Sequence, residues 1–262
     1  MKKIMILMLS AFIITLFASD MIIHKTDGSN ETIAIEEIEN ITFVSEQQEP
    51  PERILFIGNS YTYYNGGIGT HLQEFALTAD PFTPIYIESI TAGGATIQSH
   101  YNNPTTVQTI LDGDWDIVVL QEQSTRPVNE TNLFYEYATL MDDVISNAGA
   151  ETAFFMTWAR EYDPGMIEGL ANAYNTIGEQ LGAIVVPVGR AFEMSLTEDP
   201  ALILHVADGS HPSSHGTYLA VCTFYGKLWD VTPFGIEYVS DGLITNDERE
   251  FLQTIAWETI VQ

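Results

Sequence analysis

Cysteine is almost absent from this chain. Cys222 stands alone among 262 residues, so no disulfide can close within it. It falls in an apolar helical pattern and reads as a small core residue. Basic residues are few: 9 Lys and Arg face 36 Asp and Glu, a formal charge of −27. A surface of that sign repels phosphate backbones and anionic lipid, which excludes nucleic acid as a partner and suits a neutral substrate. The apolar stretch from Ile4 to Ala18 falls short of the ~20 residues that a stable membrane span needs. A phosphate-cradling glycine loop is missing too. Asn65-Gly66-Gly67-Ile68-Gly69 has neither the spacing nor the following Lys of the nucleotide-binding forms, so its glycines read as a helix start. Asp208, His211 and His215 lack the glutamate of a zincin arrangement, and Pro212 interrupts any common helix. Neither metal nor cofactor is expected.

Hydrophobic residues make up 45% of the chain and aromatics 11%, enough for a globular core. Residues 1–19 carry a short positive start (Met1-Lys2-Lys3), an apolar middle and small residues at Ala18-Ser19, the pattern of a secretory signal. The protein is therefore expected outside the cytoplasm: periplasmic, cell-surface or extracellular. In residues 20–45, two strand-like runs flank the turn chemistry of Asp27-Gly28-Ser29-Asn30, and a third alternating run follows from Ile38 to Phe43. This β-hairpin-like segment resembles a short N-terminal element common in exported proteins of Bacteroidetes-type bacteria. Residues 46–52 are a polar, proline-bearing linker.

From residue 53 to the end the pattern alternates. Strand-like runs cover 53–57, 84–90, 115–121, 152–157 and 184–188. Helical periodicity covers 67–79, 104–111, 131–147, 165–181 and 214–229, with a last amphipathic stretch over 246–262 that turns Phe251, Leu252, Ile255 and Ile260 inward. In 131–147 the stripe is Leu133, Tyr137, Leu140, Met141, Val144 and Ile145. Near-continuous apolar strands between such helices predict an α/β fold: a three-layer αβα sandwich around a mainly parallel sheet of about five strands. Sites in such sheets form beyond the carboxyl ends of the strands.

Ser60, Gly93-Gly94 and Gln121-Glu122-Gln123 follow the first, second and third strands. Ser60 lies in Gly58-Asn59-Ser60-Tyr61-Thr62, and Asp208 and His211 stand three apart in Asp208-Gly209-Ser210-His211. A serine hydroxyl becomes a nucleophile when an imidazole takes its proton, and a carboxylate fixes the imidazole's tautomer. With Gly94 in Thr91-Ala92-Gly93-Gly94-Ala95-Thr96, these blocks resemble the SGNH (GDSL-like) hydrolase superfamily over residues 53–230. The resemblance implies a flavodoxin-like fold and esterase chemistry: Ser60 as nucleophile, His211 as base, Asp208 as its partner. It also implies an oxyanion hole from the Ser60 and Gly94 N–H groups and a third-block side-chain amide. The third block departs from the family. Where an Asn is usual, the chain reads Gln121-Glu122-Gln123, a variant block that some carbohydrate esterases of the wider superfamily also carry. Gln121 is slightly favoured because it lies directly at the strand end, but alternation puts Gln123 on the same side, so the choice stays open.

The expected substrate is a small-molecule or carbohydrate ester carrying a small acyl group such as acetyl. The alternative is a glycan-binding module on the same scaffold, catalytically weak or inactive for want of the Asn. Tyr61, Trp158 and Arg160 are candidate substrate contacts; Tyr63 and Tyr64 either join an aromatic shelf or pack on the next helix. His100 and Tyr101 read as surface residues, and His215 as part of the first turn of the helix that carries Cys222.

Overall fold

The computed structural model describes residues 20–24, 29–34, 50–81, 84–239 and 242–262. The expected signal segment (1–19), the run Ile38–Phe43 and most of the linker lie outside the described residues. The chain divides into two units, Met1–Glu49 and Pro50–Gln262. In the first, β1 (Asp20–His24) pairs antiparallel with β2 (Asn30–Ala34), Ile22 opposite Thr32.

The second unit holds a five-stranded sheet of β3 (Arg53–Gly58), β4 (Tyr86–Thr91), β5 (Ile117–Leu120), β6 (Glu151–Phe155) and β7 (Ile184–Val186) in the order β4-β3-β5-β6-β7. Every pairing is parallel. The central strands β3, β5 and β6 are largely apolar because both faces are covered, whereas the edge strand β4 (Tyr-Ile-Glu-Ser-Ile-Thr) is mixed and at most half-buried. Ile54, Phe56, Ile117, Val119, Ala153 and Phe155 enter one core with Phe75, Phe192, Phe224 and Leu252. Their alternates Leu55, Ile57, Val118, Leu120 and Phe154 enter the other with Ile110, Phe134, Met141 and Tyr174. The helices supplying the first core are α2 (Ile68–Ala79), α8 (Val188–Glu198), α9 (Ser214–Trp229) and α10 (Asn246–Val261). Those supplying the second include α4 (Pro104–Asp112), α6 (Thr131–Asn147) and α7 (Met166–Leu181). This is the expected αβα sandwich.

Details differ from the sequence reading. The buried stripe of α6 is Phe134, Ala138, Met141 and Ile145; Leu133, Tyr137, Leu140 and Val144 flank it half-buried. Helix α9 is buried almost all round, from Gly216 to Gly226, because it lies among α2, α8 and α10. Three further helices were not legible: α1 (Ser60–Tyr63), α3 (Ile97–Tyr101) and α5 (Arg126–Asn129) are about one turn each, too short to show a period. Helix α8 was also missed, its start having been read as the end of a strand. No helix among the described residues is long and apolar enough to cross a membrane.

The topology places the site. The chain passes from β3 to β4 on one side, then returns to β5 on the other, so the loops after β3 and β5 diverge. Such a switch point opens a crevice at the carboxyl ends of the strands. Ser60 and Gln121–Gln123 follow those two strands.

Candidate active site

The turn that carries Ser60 is built around Asn59. Its side-chain Oδ1 accepts from Tyr61 N at 3.1 Å and caps α1, while its Nδ2 donates to the Ala95 carbonyl at 2.9 Å. The cap thus joins the serine turn to the loop that carries Gly94. Ser60 N–H opens the helix, where no intrahelical acceptor exists for it. Gly58 must be glycine, because a Cβ there would lie 2.3 Å from Thr62 Oγ1 and 2.7 Å from Gln121 Oε1.

His211 arrives on the segment before α9. Asp208 Oδ1 accepts from the N–H groups of Ser210 (2.8 Å) and His211 (2.9 Å), which coils the segment so that the imidazole faces back over its own acid. Gly209 allows the bend with φ +64°. His211 Nδ1 lies 2.6 Å from Asp208 Oδ2, and His211 Nε2 lies 2.8 Å from Ser60 Oγ. An ionised Asp208 fixes Nδ1 as the donor and leaves Nε2 to accept the serine proton. The His211 hydrogen bond, with help from the two backbone N–H groups, holds the Asp208 carboxyl down to about 2. The Tyr64 ring stacks on the imidazole with centroids 4.7 Å apart.

A bracket holds this loop from behind. Trp158 Nε1 donates to the Ser210 carbonyl at 2.9 Å, Tyr61 Oη and Ser210 Oγ share a hydrogen bond of 2.8 Å, and Arg160 donates to Ser210 Oγ and, at 2.7 Å, to Ser124 Oγ. Tyr61 and Trp158 stack at 4.6 Å, and Trp158 in turn stacks on Phe192 at 4.3 Å. This corrects the expectation of substrate contacts at Tyr61 and Trp158. Both side chains are buried, because the stack is the wall behind the Ser210–His211 segment rather than the floor of the site. Arg160 has its guanidinium engaged in the same wall. Tyr63, by contrast, is 44% exposed, and its Oη would lie 3.5 Å from a Cβ at Gly93.

Gly94 has φ +68°, and a Cβ there would meet nothing within 4 Å. The left-handed backbone, not crowding, is what calls for glycine. His100, expected at the surface, is buried: its Nε2 lies 2.8 Å from the Gly58 carbonyl, tying α3 to the end of β3, and burial lowers its pKa.

The two third-block glutamines part company. Gln121 is wholly buried beneath the serine turn. Its Oε1 accepts from Asn59 N (2.8 Å) and Thr62 Oγ1 (3.1 Å), and its Nε2 donates to the Glu122 carbonyl. The amide that the sequence reading favoured for the oxyanion is thus committed to supporting the turn. Gln123 Oε1 accepts from Thr125 N, Thr125 Oγ1 and Arg126 N, so three donors fix the orientation of its amide and leave the NH2 group on the other side. Sequence reasoning missed the supporting roles of Asn59, His100, Ser124 and Ser210, which only the tertiary contacts reveal. Among the described residues no group of three His, Cys, Asp or Glu side chains is placed to hold a metal ion. His215 lies 3.4 Å from Glu248 in α10.

No family model and no curated protein matches the chain. Solved structures do. A putative SGNH hydrolase from Slackia heliotrinireducens is 25% identical with a TM-score of 0.59, over 67% of this chain and 98% of that one. The fold is that of the SGNH hydrolases. A DUF4886 family protein from Bacteroides uniformis has a TM-score of 0.64 at 17% identity, over 80% of the SGNH-like chain and 95% of its own. Axe2, an acetylxylan esterase from Geobacillus stearothermophilus, has a TM-score of 0.57 at 15% identity, over 68% and 94%. The solved structures similar to the SGNH-like chain thus include hydrolases and esterases.

Proposed function

We propose that this protein is an exported serine esterase that removes a small acyl group, acetyl, from a carbohydrate. One observation carries the reading: the unbroken relay from Asp208 Oδ2 to His211 (2.6 Å) and from His211 to Ser60 Oγ (2.8 Å) at a sheet switch point.

Ser60 Oγ attacks the ester carbonyl while His211 Nε2 takes its proton. The tetrahedral oxyanion is held by Ser60 N–H, Gly94 N–H and the Gln123 amide. The C–O bond to the alcohol then breaks, and His211 returns the proton to the leaving oxygen. Water, deprotonated by His211, hydrolyses the acyl-Ser60 ester and restores the serine. Each oxyanion donor is worth about 3–4 kcal/mol of transition-state stabilisation. The small acyl group and the carbohydrate are supported by the likeness to an acetylxylan esterase. They are supported further by exposed aromatic rings flanking the site, Tyr63 beside Gly93 and Tyr162 beside Gly209.

Ser60→Ala is expected to abolish hydrolysis of a chromogenic acetate ester and acetate release from acetylated xylan, with an unchanged melting curve. Wild-type labelling at Ser60 by a fluorophosphonate would exclude the inactive glycan-binding module. Unaltered turnover in the alanine variant would refute the esterase.

A further inference from the structure

The end of β5 buries a carboxyl that the mechanism above does not use. Glu122 is 0% exposed. Its Oε1 accepts from Gln123 N at 2.6 Å and from Ile97 N at 3.3 Å, while its Oε2 is buried with no hydrogen-bond partner. Burial pushes this carboxyl up to about 7; the two N–H groups and the Arg126 guanidinium pull the other way, and Glu130 adds to the rise. Tyr174, from α7, is the other ionisable group in its electrostatic reach. A carboxyl with one orphaned oxygen is a costly occupant of a dry site, where an apolar side chain would pack without that penalty. What the apolar chain cannot do is accept from Ile97.

Ile97 is the first residue of α3, directly after the loop Ala92–Thr96 that presents Gly94. The three consecutive residues of the block therefore hold three different pieces. Gln121 holds the serine turn through Asn59 and Thr62, Glu122 holds the start of α3, and Gln123 holds Thr125 and the first N–H of α5. His100 closes the circuit from α3 back to Gly58.

We propose that Glu122 is a positioning residue: through Oε1 it fixes the start of α3, and thereby the placement of Gly94 N–H relative to Ser60. The inference rests on the esterase reading and deepens it. Glu122→Gln keeps an uncharged acceptor at the same reach; Glu122→Ala removes it. The glutamine variant should keep kcat on a chromogenic acetate within about 3-fold. The alanine variant should lose about 10- to 100-fold in kcat per fluorophosphonate-titrated site, somewhat less than deletion of a whole oxyanion donor, with KM changed less than about 2-fold. Amide hydrogen exchange in residues 93–100 should quicken in the alanine variant while β3 and β5 stay protected. If alanine does not fold, Glu122→Asp, which draws the carboxyl back by one methylene, replaces it with the same expectations. Wild-type kcat per titrated site, or unchanged exchange in residues 93–100, overturns the proposal. A wild-type protein that neither turns over nor is labelled sinks the esterase reading instead, and the exchange comparison then judges the Glu122 contact alone.

Discussion

At the residue scale, the carboxyls of Asp208 and Glu122 are shifted with opposite sign. Asp208 has its folded pKa pulled down to about 2 from the usual 3.8 by His211. Its contribution to stability is therefore present above pH 3.8 and is lost as pH falls from there toward 2. The side chain is 48% exposed, so solvent screening keeps that contribution small. Asp208→Asn should melt slightly below wild type at pH 6, the gap closing near pH 2, while kcat falls at least about 10-fold at pH 7 because the imidazole loses its fixed tautomer. A constant melting gap across that range would contradict the assignment. Glu122, raised to about 7, works the other way: the folded state loses stability as pH rises from about 4.5 through 7. The serine was legible because it follows a strand, and the acid and imidazole because they stand three apart in one block and their chemistry names them. The choice between Gln121 and Gln123 was not. Alternation gives the face of a strand, but only the tertiary structure shows that the Gln121 Oε1 is held by Asn59 and Thr62 and its Nε2 is spent on the Glu122 carbonyl.

At the element scale, the strand-to-helix junction after β3 is the tightest point of the site. Gly58→Ala would drive a Cβ into Thr62 Oγ1 and Gln121 Oε1, both held by buried hydrogen bonds. The variant should lose about 1–3 kcal/mol in urea unfolding and most of its esterase activity, since the serine turn has to shift. A variant of wild-type stability and rate would show the junction to be looser than the contacts indicate. The five strands and the long helices were readable from apolar runs and periodicity. The one-turn helices were not, because four or five residues show no period, although their caps are local: Asn59 at α1, Thr96 with Ser99 at α3, and Gln123 at α5. Trp158 looked like a ligand contact because it ends a strand on the active edge; its stacking between Tyr61 and Phe192 makes it a wall.

At the scale of the whole molecule, a charge of −27 sets long-range behaviour. Raising NaCl from about 20 to 500 mM should raise the melting temperature by screening self-repulsion. KM for an anionic ester should fall over the same range, while KM for a neutral acetate stays flat; a parallel response of the two would mean the field does not reach the crevice. Another whole-chain consequence follows from the 151 residues that separate Ser60 from His211. The alcohol emerges early during synthesis and its proton acceptor late, so a nascent or truncated polypeptide carries a harmless hydroxyl. Chemical reactivity switches on only after the distal third has been made and has docked, which turns covalent probe capture into a direct gauge of completed folding.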